Sequence, residues 1–211
     1  LATLKMTLSA NASAEQQYNS LRSGRALVEL ADWSSVTLTG KGCQSFLHNF
    51  CTNDVKRLAP GESCEAFFTN VRGKIIGHGL VTCGDKEIVI VGAPGQASRL
   101  VEHLNRYLIR EDVQMRDTTT DRHYVLVTGG GLSFHFAWDL VGNNTAGILW
   151  LPAGQLSSLD SLLEDREITL VGGPAFSTAR IEAGAPLFGV DFDEANFPQE
   201  VGRDRQAISF T

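Results

Sequence analysis

A strand, a Gly-Gln turn, a helix and a second strand occur twice in this chain of 211 residues. Glu87-Ile-Val-Ile-Val91 leads through Gly92-Ala-Pro94 into Gly95-Gln96, then a helix to Tyr107 and a strand over 113–116. Gly147-Ile-Leu-Trp150 leads through Leu151-Pro-Ala153 into Gly154-Gln155, then a helix with Leu159, Leu162 and Leu163 and a strand over 168–170. Leu100 and Leu104 of the first segment fall on Leu159 and Leu163 of the second. An apolar period of two that gives way to one of about 3.6 across a glycine turn marks a strand passing into a helix. The segments 86–117 and 145–171 therefore read as a duplicated α+β unit.

The remaining chain fits around these segments. Residues 9–24 are a polar helix that stops at Gly24, and short strands follow at 26–30 and 35–39. Residues 41–51 form a helix with Phe46, Leu47 and Phe50 on one face. Residues 65–70 and 74–83 make a hairpin around Val71-Arg-Gly73. Two more strands, 123–128 and 134–138, flank Gly129-Gly-Gly131. That triplet lacks the Gly-x-x-x-x-Gly-Lys pattern of a phosphate cradle and reads as a hairpin loop. The domain organisation expected is an N-terminal helical extension over 1–24 and one larger domain over 25–211.

Composition excludes several classes. The net charge is −6 and no run of five basic residues occurs, so direct nucleic-acid binding is not expected. No apolar stretch approaches the roughly 20 residues of a membrane span. The four cysteines at 43, 51, 64 and 83 fit no zinc or iron–sulfur spacing. The five histidines form no His-x-x-x-His pair, so no metal site is expected. Without a secretory leader, the cysteines read as reduced thiols of a cytoplasmic protein.

The densest chemistry lies near the C-terminus. Arg180-Ile-Glu-Ala-Gly-Ala-Pro-Leu-Phe-Gly-Val-Asp-Phe-Asp-Glu runs on to Phe197-Pro-Gln-Glu-Val-Gly202. Gly184 and Pro186 stop a short helix here, placing Arg180 and Glu182 in its last turn. A surface loop with ordinary charges is the competing reading. Thr52-Asn-Asp-Val55 suits helix capping, and Asn70-Val-Arg-Gly73 suits a tight turn.

These strings together resemble the folate-binding family of the glycine-cleavage T-protein, closest to its YgfZ-type branch associated with iron–sulfur protein maturation. The resemblance covers about residues 20–211, most specifically 40–80 and 178–210. It implies an α+β fold of two related ferredoxin-like halves around a central folate cleft, without the family's C-terminal barrel. In the YgfZ-type branch a Lys-Gly-Cys-Tyr-x-Gly-Gln-Glu signature follows the residue that matches Thr211. The resemblance also implies a cofactor, tetrahydrofolate or a one-carbon derivative, and site residues Glu182, Arg180, Asn70, His78 and Trp33. The family's glutamate at the position of Glu182 takes the ring N–H and exocyclic amine of a pterin in one fork.

One departure bears on activity. Where the T-protein hairpin carries Asp-Asp-Leu, this chain has Gly77 and His78 within Ile-Ile-Gly-His-Gly-Leu. An imidazole supplies no fixed negative charge beside the reacting nitrogens of a folate. The expected function is thus reduced-folate binding in a factor serving iron–sulfur client proteins. Aminomethyl transfer and a scaffold without ligand are the alternatives. His78 is expected to line the folate cleft, with Gly77 and Gly79 letting the strand bend or a ligand approach.

Overall fold

The computed structural model describes residues 12–129, 135, 137–142, 146–155, 159 and 168–210. Its helices and strands, in chain order, begin with α1 (Ala14–Ser23), β1 (Ala26–Leu30), β2 (Ser34–Thr39) and α2 (Cys43–His48). Then come β3 (Ser63–Thr69), β4 (Ile75–Cys83), β5 (Glu87–Gly92), α3 (Ala97–Asn105) and β6 (Gln114–Asp117). The last are β7 (Arg122–Thr128), β8 (Ala146–Pro152), β9 (Thr169–Val171), α4 (Gly173–Glu182) and α5 (Asp204–Ala207). Short 3-10 turns occupy Val55–Arg57 and Pro198–Glu200. The chain divides into two compact units: Leu1–Ala31 with Thr120–Ala185, and Asp32–Thr119 with Pro186–Thr211.

The first unit carries an open four-stranded sheet of order β8-β7-β1-β9. β1 is antiparallel to β7 and parallel to β9, and β7 is antiparallel to β8. α1 packs on α4 and β9, so the segment expected as an extension belongs to this unit. α1 starts at Ala14 rather than at residue 9 because Ser13 caps it: Gln16 N donates to Ser13 Oγ, and Ser13 N donates to Gln16 Oε1. Gly24, at φ 76°, ends it. The core joins Leu27, Val125, Val127, Leu149, Leu159 and Ile168.

The second unit is built on a fully antiparallel sheet of order β3-β4-β5-β2-β6. One face packs under α2 and α3 through Leu38, Phe46, Phe68, Val81, Ile88, Leu100 and Leu104. The other face carries Phe67 and Ile75, covered by Phe188, Phe192 and Ala207 of the C-terminal segment. Both faces being covered, every residue of β4 is buried. Gly77 and Gly79 serve this packing. A Cβ on Gly77 would lie 2.8 Å from Leu100 Cδ2, and one on Gly79 would lie 2.3 Å from the Val91 carbonyl oxygen. The two glycines expected to admit a ligand instead admit α3 and β5.

The α+β class agrees with expectation. Gly95 and Gly154 share a turn geometry, with φ 86° and 84°. Their sheets differ, however. β5 and β6 flank one strand, β2, whereas β8 and β9 are separated by β7 and β1, and β9 runs parallel to its neighbour. Apart from Leu159, the helix of the second segment lies outside the described residues, whereas the expected strand 134–138 is not formed at its described positions 135, 137 and 138.

Candidate functional site

α4 in the first unit begins with Pro174 in its first turn and gives way to Gly184 at φ 63°. Its last turn presents Arg180 and Glu182 very differently. Arg180 is 4% exposed, and its Nη1 donates to the Ala185 carbonyl at 3.5 Å. It braces the turn that ends the helix. Glu182 is exposed, and its Oε2 accepts a hydrogen bond of 2.5 Å from Tyr18 Oη on α1. This bond, aided by the carboxylate's charge, raises the Tyr18 pKa above the ordinary phenol range. Glu182 Oε1 accepts no hydrogen bond among the described residues, which leaves a fixed carboxylate with one open oxygen. Sequence reasoning missed Tyr18. Its only signal was its place on a polar helix, and contact between residues 164 apart in sequence leaves no local pattern.

The remaining expected site residues lie in the second unit. Asn70 organises the hairpin turn: its Oδ1 accepts from Arg72 N at 2.9 Å and from Lys74 N at 3.2 Å. It also lines a cleft of about 440 Å³ with Arg72, Arg99, His103, Arg106 and Tyr107. Two of those arginines are spent on ion pairs, Arg99 with Glu194 and Arg106 with Glu102. Trp33 is buried beside the start of β2.

His78 is 3% exposed, and here the expectation that it lines a cleft needs correction. Its ring stacks on Phe67 at 4.6 Å and meets the edge of Phe192 at 5.5 Å. Its Nε2 lies 2.8 Å from Glu65 Oε1. Glu65 is clamped by Arg203, whose Nε donates to Oε1 at 2.9 Å and whose Nη2 donates to Oε2 at 2.5 Å. Burial alone would push the Glu65 carboxyl up, but the bonds from His78 and Arg203 outweigh it and hold its pKa down to about 2. With the carboxylate ionised, Nε2 carries the hydrogen of the shared bond. The physical reason for the burial is register. His78 pairs with Phe67, on the face that the C-terminal segment covers. Arg203 was not legible as the partner of Glu65, because 138 residues separate the two.

Asn53, read as a cap, ties strands to tail. Its Nδ2 donates to the carbonyls of Glu65 at 2.8 Å and Gln206 at 3.0 Å, while Asp54 pairs with Arg57 at 2.9 Å. Among the described residues no three His, Cys, Asp or Glu side chains converge in a way that could hold a metal. No described helix is long and apolar enough to cross a membrane.

Two open sheets with these covering helices define an aminomethyltransferase-type fold. The structure matches glycine cleavage system aminomethyltransferase T from Bartonella henselae with a TM-score of 0.77 at 20% identity, over 92% of this chain and 60% of that one. The chain belongs to the GCVT N-terminal domain family, which matches residues 6–131. Among curated relatives, a chloroplastic protein of Arabidopsis thaliana described as a transferase is 21% identical over 82% of this chain and 46% of its own length. The aminomethyltransferase of Synechococcus sp. (strain CC9311) is 22% identical over 88% of this chain and 61% of its own. That of Prochlorococcus marinus (strain NATL2A) is 22% identical over 54% and 32%. The chain thus spans less than two thirds of the length of each of these relatives.

Proposed function

We propose that this chain binds a reduced folate, tetrahydrofolate or a one-carbon derivative, and that it serves iron–sulfur client proteins rather than transferring an aminomethyl group. The observation that carries the folate reading is Glu182, exposed at the end of α4, with one oxygen held by Tyr18 and the other open. A pterin offers a ring N–H beside an exocyclic amine, and a carboxylate pinned in one orientation is the acceptor such an edge requires. Tyr18 takes up part of that acceptor capacity and in return fixes the rotamer. Arg180 acts through the backbone that holds the turn.

Against transfer chemistry stands the second unit's buried triad. The position where the resemblance calls for an aspartate holds His78, and the nearest carboxylate, Glu65, is committed to Arg203. A carboxylate neutralised in this way offers little stabilisation to positive charge developing on a folate nitrogen. Aminomethyl transfer remains the second reading, favoured by the relatives that bear that name. Four free thiols support a reducing compartment such as the cytoplasm, and a net charge of −6 supports partners other than nucleic acid.

Titration calorimetry with a stable reduced folate tests the reading. Glu182→Gln keeps the shape but turns a donor toward a ligand N–H. The affinity is expected to fall roughly 10- to 100-fold, at about 1.4 kcal/mol per decade. Equal affinities for wild type and variant would remove the folate site. Release of methylenetetrahydrofolate in a reconstituted glycine-cleavage assay would instead establish the second reading.

A further inference from the structure

All four cysteines belong to the second unit, and two of them line one opening. Cys83 is the cross-strand partner of Ile88, and Ile88 is the partner of Leu38. Directly paired residues of antiparallel strands project from the same face of a sheet. Ile88 and Leu38 face α2, so Cys83 does too. Cys43 is the first residue of α2 and packs against that same core. Both cysteines line a cleft of about 420 Å³, together with Ile88 and Gln44. Both are free thiols, Cys43 half-buried and Cys83 buried.

We propose that Cys43 and Cys83 act as one dithiol, a site where a low-molecular-mass disulfide is reduced and a Cys43–Cys83 bridge is formed. The better exposed Cys43 attacks first, as thiolate, on one sulfur of the small disulfide. That S–S bond breaks, a mixed disulfide forms on Cys43, and one small thiolate leaves. Cys83 then attacks the Cys43 sulfur and expels the second small thiolate. The two protein thiols lose two electrons and two protons; the small disulfide gains both and departs as two thiols. The 41 residues from 43 to 83 become a closed loop, tying the start of α2 to the end of β4.

The other two cysteines do not share this opening. Burial pushes the Cys51 thiol up to about 12 and the Cys64 thiol up to about 11, and neither lines the cleft. At Cys43, burial first and the charges of Cys83 and Asp112 next hold the thiol above its ordinary range. Lys41 and Lys86 face Asp85, Glu87 and Asp112 around the opening, so the lining does not stabilise a thiolate. The thiols are therefore held in their protonated form at rest, and exchange accelerates as pH rises.

Peptide mapping decides the matter. The full chain is incubated with excess hydroxyethyl disulfide at mildly alkaline pH, blocked with N-ethylmaleimide, and digested without reduction. The expected product is a Cys43–Cys83 cross-linked peptide, with Cys51 and Cys64 recovered as maleimide adducts. Cys83→Ser should accumulate a mixed disulfide on Cys43, Cys43→Ser should leave Cys83 as the thiol, and the Cys51→Ser/Cys64→Ser double variant should bridge like wild type. Mixed disulfides at both positions of the wild type without a cross-link would overturn the proposal. So would a bridge involving Cys51 or Cys64. The wild-type map suffices if a variant fails to fold.

Discussion

At the scale of single residues, the Glu65 carboxylate is the most consequential charge in the described structure. Its folded pKa lies below the ordinary 4.5, so its contribution to stability is fully present above that value and is lost as pH falls toward about 2. Chemical denaturation should show that loss across this window, and a flatter profile in Glu65→Gln. Arg203→Met removes the guanidinium clamp from the buried carboxylate. Removing one partner of a buried pair costs about 3–5 kcal/mol, so the urea midpoint should drop sharply at neutral pH. His78→Asp, which restores the residue type suggested by the resemblance, sets a second carboxylate against Glu65. It is expected to destabilise the protein without giving methylenetetrahydrofolate release. Tyr18 offers a probe with no ligand at all. Its phenol titrates above the ordinary range because Glu182 accepts its hydrogen, and Glu182→Gln should bring the phenolate absorbance in at lower pH.

At the scale of elements, much was legible because local rules decide it. The hairpin at Asn70–Gly73, the halt of α1 at Gly24 and the end of α4 near Gly184 each follow from a turn residue's own preferences. What was not legible is which face of a strand meets which neighbour. β4 is buried throughout and shows no alternation, so nothing in its pattern assigned His78 to the C-terminal segment or Gly77 to α3. The same gap hid Tyr18 and Arg203, whose partners are fixed by tertiary contact rather than by spacing. Gly77→Ala tests the close packing of β4 on α3. Its Cβ meets Leu100, and the overpacking should cost about 1–3 kcal/mol. Leu100→Ala alone should cost about 2–5 kcal/mol. In a double-mutant cycle the pair should cost less than the sum, because each change accommodates the other. Additive effects would show that the helix does not press on that glycine.

At the scale of the molecule, neither unit is continuous in sequence. The chain passes from the first unit to the second after Ala31, returns after Thr119, and leaves again after Ala185. Ending the chain at Ala185 would strip Phe188, Phe192 and Arg203 from the second sheet and leave Phe67, His78 and Glu65 uncovered. Such a truncation is expected to be insoluble or to bind a hydrophobic dye strongly, and a cooperatively folded product would contradict that. The interrupted order also bears on synthesis. All five strands of the second sheet lie between Ser34 and Asp117, so they can pair while the ribosome is still reading the rest. β1 emerges before them, yet its two sheet neighbours are β7 and β9. The apolar Ala26–Leu30 must therefore wait as an open edge through the translation of the whole intervening sheet. A strand that leaves the ribosome ahead of the whole second sheet is paired only after it, and that delay marks it as a segment a nascent-chain chaperone has reason to hold.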